Sequence, residues 1–281
     1  MSEAIAEKFI NDLLHDLENE TLVLPTLPEV ALRVRDALAD DEQSLADVSK
    51  VITTDAALSA RLIQVSNSPL LRTSRTIETV ESAVTRMGSN MVRNLVTSIV
   101  MEQMFQATSD VTDKRLRNLW EHSTQVAAIA SALTNQFTKL KPDMALLAGL
   151  IHDIGALPIL SRVEDVPEIL DDVDMLDDII SKTHCRIGER ILAKWNFPPE
   201  LVAVASEHED LTRNSGGKID YVDVITVANL QSLIGSNHPH TELDWNTIPA
   251  FQKLGLTADV NVVEMDETSE EIAAMQNALS N

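Results

Sequence analysis

Four histidines carry the chemical information in this sequence: His122, His152, His184 and His208, the second followed directly by Asp153. His122 shares a helical repeat with Leu119, Val126, Ile129 and Leu133, so its ring points the way of an apolar stripe. His152 and Asp153 end the apolar run Ala145-Leu146-Leu147-Ala148-Gly149-Leu150-Ile151. His184 aligns with Ile187, Gly188, Ile191 and Trp195, and His208 with Leu201, Val204 and Ala205. Four histidines are therefore expected on the inward faces of four different helices. One histidine on an apolar face is ordinarily a core residue with its polar atoms satisfied. Four in one region, one of them beside an aspartate, point to a common partner, because burying imidazole and carboxylate groups unpaired costs kilocalories. A divalent metal ion satisfies several at once, and helix bundles build such sites from inward side chains on separate helices.

The other chemically capable residues read more plainly. His15 belongs to the exposed face of a first helix, and His238 and His240 to a polar loop. Cys185 is the one cysteine, which rules out a disulfide within the chain. It follows His184 directly and could be read as a thiol ligand or nucleophile, but on an ideal helix it points about 100° away from that histidine, so buried filler is the favoured reading. The acidic run Asp171-Asp172-Val173-Asp174 lacks the spacing and the glycine of a calcium loop and reads as a solvated loop or helix end.

The elements that must position the histidines are helices throughout. A first helix over about 3–17 carries Ile5, Phe9, Leu13 and Leu14 on one face. Leu24-Pro25-Thr26-Leu27-Pro28 breaks the helical pattern and reads as a rigid connector packed on the helices, with a docking strand as the alternative. Pro28 and Glu29 open the next helix, which ends at an acidic turn, Asp40-Asp41-Glu42. Ser44-Leu45-Ala46-Asp47 is a capping box, and Asp55 caps a further helix that Asn67-Ser68-Pro69 ends. Thr79 to Met87, a turn at Gly88-Ser89, and a long apolar helix through Met104 complete the first half. After a polar stretch at 107–113, four strong helices are expected over about 114–139, 142–151, 181–195 and 198–208. Another follows over about 219–235, with short amphipathic pieces near 248–254 and 268–279. The division predicted is an N-terminal helical subdomain (1–110), a second helical subdomain (111–240) and a C-terminal tail with short helices (241–281), the first two sharing one core.

Composition bounds the function. With 281 residues and 44% hydrophobic content but only 3% aromatics, aliphatic side chains must fill the core. The formal net charge of −22 repels phosphate backbones and anionic lipid surfaces, so no nucleic-acid and no membrane partner is expected. The N-terminus lacks the basic start and continuous apolar segment of a signal peptide. No apolar run reaches the ~18 residues of a membrane span, which places the protein in the cytoplasm.

With these motifs in place, the chain resembles the HD superfamily of metal-dependent phosphohydrolases, whose pattern is a His, then a His-Asp pair ending a helix, then a later Asp. Leu150-Ile151-His152-Asp153-Ile154-Gly155 is similar to that pair in its setting. The resemblance is closest to one branch, the HDOD domain (HD-related output domain). Leu24-Pro25-Thr26-Leu27-Pro28, the stretch Asp55 to Ser68 (DAALSARLIQVSNS), Ala83-Val84-Thr85-Arg86-Met87-Gly88 and Leu119-Trp120-Glu121-His122-Ser123 resemble successive blocks of that family. Together they cover about residues 24–233. The resemblance implies an all-α, multi-helix HD-domain-like bundle and a bacterial signal-transduction module that acts through protein partners. It implies metal ligands at His122, His152, Asp153, His184 and His208, with iron, manganese or zinc as the ion if one is retained.

The sequence also departs from the catalytic members. Their last acidic ligand falls on Asn229, in Val227-Ala228-Asn229, which brings a carbonyl oxygen but no charge. Relatives that cleave cyclic dinucleotides carry a Lys three residues after the Asp, where this chain has Ala156. Their paired histidines become Glu207-His208-Glu209, and their Gly-Tyr-Pro signature is absent. Glu207 and Asn229 are thus weaker ligand candidates. Hydrolase sites rely on carboxylate charge to hold the ion and tune its water, so the resemblance favours a regulatory module over a working phosphohydrolase for nucleotides or cyclic dinucleotides.

Overall fold

The capping box at Ser44 forms as expected. The Ser44 hydroxyl accepts from the Asp47 amide, and the Asp47 carboxylate accepts from the Ser44 amide. Two donors that a helix start leaves over are thereby satisfied. Signals of this kind bound the helices along the chain. The computed structural model describes residues 2–39, 44–67, 76–105, 110–257, 260–262 and 266–280, and no strand occurs among the described residues. The acidic turn at 40–42, Ser68-Pro69, residues 107–109 and Val263 lie outside them.

The first half contains α1 (Ser2–Glu18), α2 (Glu29–Ala39), α3 (Leu45–Thr53), α4 (Ala56–Ser66) and α5 (Val80–Met101). The second contains α6 (Asp110–Phe137), α7 (Pro142–Ile151), α8 (Ala156–Val163), α9 (Pro167–Leu170), α10 (Val173–Lys194), α11 (Pro199–Glu207) and α12 (Tyr221–Ser232). The chain ends with α13 (Pro249–Leu254) and α14 (Asp266–Ser280). The turn read at Gly88 is a kink inside α5: Gly88 sits at φ 75°, a left-handed conformation. α10 begins at Val173, well before the expected start near 181, because Asp172 accepts from the Met175 amide and caps it. The acidic run is thus a helix start.

α6 and α7 cross at Gly149, where a Cβ would come within 2.4 Å of the Ala127 Cα, so only glycine allows this approach. α12 covers α6 and α7, and α10 packs on α8 and α11. α2, α3 and α4 gather on α5, which in turn rests on α7, so one apolar core runs through both halves. Two segments cross between the halves. α1 packs on α9 and α10, where Arg162 donates to Asp16 and Arg186 to Glu18. α14 lies against both α6 and α4. The 24–28 segment is a packed connector: Leu27 is buried and the Trp195 indole donates to the Pro25 carbonyl at 3.1 Å.

One stretch is more apolar than the sequence reading allowed. Pro142–Val163, 22 residues, holds an 18-residue window with a mean hydropathy of 1.7, which has the length and composition of a membrane span. It is two helices, α7 and α8, broken at His152-Asp153, and 83% of that window is buried against the rest of the chain.

Candidate metal centre

Asp153 lies in the short turn between α7 and α8, and Gly155 brings that turn against α10. A Cβ on Gly155 would fall 1.9 Å from the His184 carbonyl oxygen and 2.6 Å from the Gly188 nitrogen. This contact between backbones sets the carboxylate of Asp153 beside the histidines of α10 and α11. α6 supplies His122 from the other side.

All four histidines meet around Asp153. Its Oδ2 is 3.2 Å from His152 Nε2 and 3.6 Å from His122 Nε2, and its Oδ1 is 3.3 Å from His184 Nε2 and 3.2 Å from His208 Nε2. The imidazoles approach one another in two pairs, His122 and His152 at 3.3 Å and His184 and His208 at 3.4 Å between Nε2 atoms. The carboxylate therefore bridges two half-sites. His152 and His208 side chains are fully buried and His184 is 3% exposed, whereas Asp153 and His122 are 17% and 27% exposed, so the cluster opens to solvent on the His122 side.

The tautomers follow from the backbone. His152 Nδ1 donates to the Gly149 carbonyl at 2.7 Å, His184 Nδ1 to Ile180 at 2.7 Å and His208 Nδ1 to Val204 at 2.9 Å. A carbonyl only accepts, so each Nδ1 carries the hydrogen and each Nε2 presents a lone pair. Three such lone pairs and two carboxylate oxygens face each other with no neutral donor among them. Helical carbonyls that hold histidine rings in one tautomer are the outer support metal ligands ordinarily have. The spacing also fits. For bonds of ~2.0–2.1 Å, the edges of a tetrahedral donor set are about 3.3 Å, close to those seen within both half-sites. The residues present thus fit a divalent ion.

Electrostatics make the same demand for positive charge. Burial works against ionised Asp153, but the imidazoles of His152, His184 and His208 hold its carboxyl well below the usual range. Burial likewise opposes charge on His184, yet its hydrogen bonds to Asp153 and to the Cys185 sulfur push it up to about 12. Burial, with the neighbouring His152, pushes His122 down to about 4, and burial pushes His208 down. The ionised Asp153 and the raised His184 both favour positive charge within the cluster.

The weaker candidates separate. Glu207 is taken by Arg213, which donates to it from the guanidinium, and the structure does not bring it into the cluster. Asn229 is placed between two contacts that α12 makes with the site helices: Thr226 donates to the His208 carbonyl at 3.0 Å, and the Ser232 carbonyl accepts from Gln125, one turn from His122. At helical spacing Asn229 shares that face. The reading of Cys185 as filler turned away from His184 is corrected: its Sγ lies 3.3 Å from His184 Nε2, and the ligand atoms of His184, Cys185 and His208 all lie within 4.8 Å of one another. Thr226 and Gly155 carried no sequence signal as supports of the site. His15 is exposed, hydrogen-bonded to Asn19, and His238 and His240 meet edge to face at a short surface helical turn.

Helices without strands among the described residues, together with this His, His-Asp cluster, make a candidate metal centre of the HD type. Residues 24–211 match the HDOD domain family, and the chain belongs to it. A crystal structure from Shewanella amazonensis SB2B, named as a candidate metal-dependent phosphohydrolase, is 31% identical, with 98% of this chain and 99% of that one covered and a TM-score of 0.86. An HDOD domain protein of unknown function from Geobacter sulfurreducens shares the fold at 20% identity and a TM-score of 0.62, over 97% of this chain and 98% of that one. So does a protein of Marinobacter aquaeolei VT8 named for signal transduction, at 19% identity and a TM-score of 0.60, over 100% of this chain and 67% of that one. An uncharacterized protein of Treponema pallidum (strain Nichols) is 24% identical over 221 residues, and the match spans 74% of this chain but only 42% of that longer relative.

Proposed function

We propose that this protein is a bacterial regulatory HDOD module of the cytoplasm that holds a divalent metal centre and acts through protein partners bound on its helical surface, chiefly the N-terminal half. When bound, the metal supplies a concentrated positive charge and a Lewis-acid site. His122, His152 and Asp153 would hold it on one side of the cluster, and His184 and His208 with Asp153 on the other.

One observation carries the regulatory reading: the four histidines converge on Asp153, but the arginines that could serve a phosphoryl substrate are engaged elsewhere. Arg162 is paired with Asp16, Arg186 with Glu18, and Arg213 with Glu207 and Asp220. Ala156 opens α8 where cyclic-dinucleotide-cleaving relatives carry a lysine. Stabilising charge on a transferring phosphoryl group is ordinarily the largest contribution such a site makes, and these three arginines are held by carboxylates instead.

A second reading, a metal-dependent phosphohydrolase, is favoured by the solvent opening at His122 and Asp153. The 31%-identical relative named for that activity supports it too. The two separate in one experiment. Protein purified without chelators or a metal column is analysed for iron, manganese and zinc, as wild type and as His152→Ala, and then assayed on bis(p-nitrophenyl) phosphate and a cyclic dinucleotide. Stoichiometric metal that disappears in the variant, with no turnover, is the expected result. Turnover abolished by His152→Ala would replace the regulatory reading with the hydrolase. No metal, even after it is added back, would remove the metal centre from the proposal.

A further inference from the structure

The half-site on α10 and α11 differs from its twin in one respect: a sulfur atom stands at its edge. We propose that Cys185 is a thiolate ligand of the ion held by His184, His208 and Asp153, which makes this half-site a soft, zinc-type N2SO site. The twin at His122 and His152 offers only nitrogen and oxygen. The inference rests on the metal-centre reading above.

Two independent observations carry it. The first is spacing. Cys185 Sγ is 3.3 Å from His184 Nε2, which is in turn 3.4 Å from His208 Nε2 and 3.3 Å from Asp153 Oδ1, and the last two are 3.2 Å apart. These four separations are close to the edges of a tetrahedral set with bonds of ~2.0–2.3 Å, and Cys185 Sγ lies within 4.8 Å of His208 as well. The second is the burial and fixed orientation of His208. Its side chain is fully buried and its Nδ1 hydrogen is spent on the Val204 carbonyl. Its Nε2 is therefore aimed between a carboxylate oxygen and a second imidazole whose own Nδ1 is spent in the same way. An ion in that space would meet His184, His208 and Cys185, whose ligand atoms all lie within 4.8 Å of one another, with Asp153 Oδ1 at the edge shared by the two imidazoles.

The chemistry balances simply. The sulfur–metal bond forms as the thiol proton leaves to solvent, with no change of oxidation state. A thiolate shifts preference from manganese and magnesium toward zinc and other softer ions, so the two halves of one cluster would differ in the metals they select.

The test uses cobalt(II) as a spectroscopic stand-in for zinc, titrated into the metal-free full-length chain. Cys185 is the one cysteine, so any thiolate-to-cobalt charge-transfer band in the near ultraviolet must come from it. The expected result is a band that saturates stoichiometrically, is bleached by zinc, persists in His152→Ala and is absent in Cys185→Ser. Zinc affinity at this half-site should fall roughly 10–100-fold in Cys185→Ser, while manganese affinity changes far less. Circular dichroism and the melting temperature of the metal-free variant establish that it folds. Cobalt bound with visible d–d bands but no charge-transfer band in the wild type would overturn the proposal and leave the metal centre standing. In that case Cys185 serves only as a thiol hydrogen-bonded to His184. No cobalt bound at all would overturn both.

Discussion

Replacing Gly155 with alanine tests whether one backbone contact assembles the site. The new Cβ would lie 1.9 Å from the His184 carbonyl oxygen, 2.6 Å from the Gly188 nitrogen and 2.8 Å from the His184 carbonyl carbon, all backbone atoms that no rotamer can move aside. Ordinary contact needs about 3.4 Å, so α10 must retreat from the α7–α8 turn by on the order of 1.5 Å. α11 packs on α10 and would move with it. The Asp153 to His184 and His208 separations, now 3.3 and 3.2 Å, would then open beyond what one ion spans. Overpacking of this kind costs about 1–3 kcal/mol or somewhat more. With ~2–4 °C per kcal/mol for a chain of this size, the upper end lowers the melting temperature by roughly 6–12 °C. Affinity at the His184 and His208 half-site should fall ~10–100-fold, as it does when support behind metal ligands is lost. The His122 and His152 half, built on α6 and α7, should be spared. Gly188→Ala is the control: its Cβ meets the Ala205 methyl at 3.2 Å, a few tenths of an ångström too close. The helix-propensity gain of ~1 kcal/mol should largely offset that strain. Thermal unfolding with and without zinc, together with the cobalt titration, measures both effects. A Gly155→Ala protein with wild-type melting and wild-type metal binding would refute the claim that this contact sets the ligand spacing.

Three further outcomes are expected. Asn229→Asp adds a carboxylate on the α12 face that meets His208 and α6, and should tighten metal binding by tenfold or so; unchanged affinity would remove Asn229 from the site. Asp223→Ala should cost about 3–5 kcal/mol in chemical denaturation, because Asp223 is 1% exposed and accepts from Lys253 at 2.9 Å, and its loss leaves a nearly buried ammonium with only the Ser215 hydroxyl. Metal uptake should release protons on one side of the cluster only. His184 is pushed up to about 12, so at neutral pH an ion at its half-site must displace that proton, together with the thiol proton where Cys185 also binds, and apparent affinity should rise about tenfold per pH unit for each proton released. His122 is pushed down to about 4, is already neutral there, and gives no such slope. Calorimetric titration in buffers of different ionisation enthalpy counts the protons, and a count of zero would mean that His184 binds no ion.

Most of the helices were legible because apolar residues recur at helical spacing and polar caps mark their ends. The parts that were not depend on the chain meeting itself. α8 and the single turn of α9 are too short to show a period, and the cap at Asp172 is disguised within an acidic run that also reads as loop. The place of α1 is a matter of tertiary partners: its apolar stripe would suit α2 to α5 as well as α9 and α10, and only the pairing of Asp16 with Arg162 and Glu18 with Arg186 distinguishes them. Gly149 and Gly155 look alike in sequence to any helix-end glycine, yet both are points where one backbone lies against another.

The site was legible for a similar reason and misread for another. Four histidines on apolar faces implied convergence, and each Nε2 does turn to Asp153. Cys185 was set aside because successive residues on a helix point about 100° apart, an argument about Cα–Cβ directions. It does not govern where the ends of side chains of unequal length arrive. The His184 ring is tethered through Nδ1 to the Ile180 carbonyl one turn back, which brings its Nε2 along the helix surface to within 3.3 Å of the short Cys185 side chain. The same tether that fixes the histidine's tautomer therefore also brings the sulfur to the cluster. A ligand pair at adjacent positions is compatible with one ion once the longer side chain is bent by its own hydrogen bond. On that geometry Cys185→Ser should remove the softness of the half-site while leaving its histidines in place.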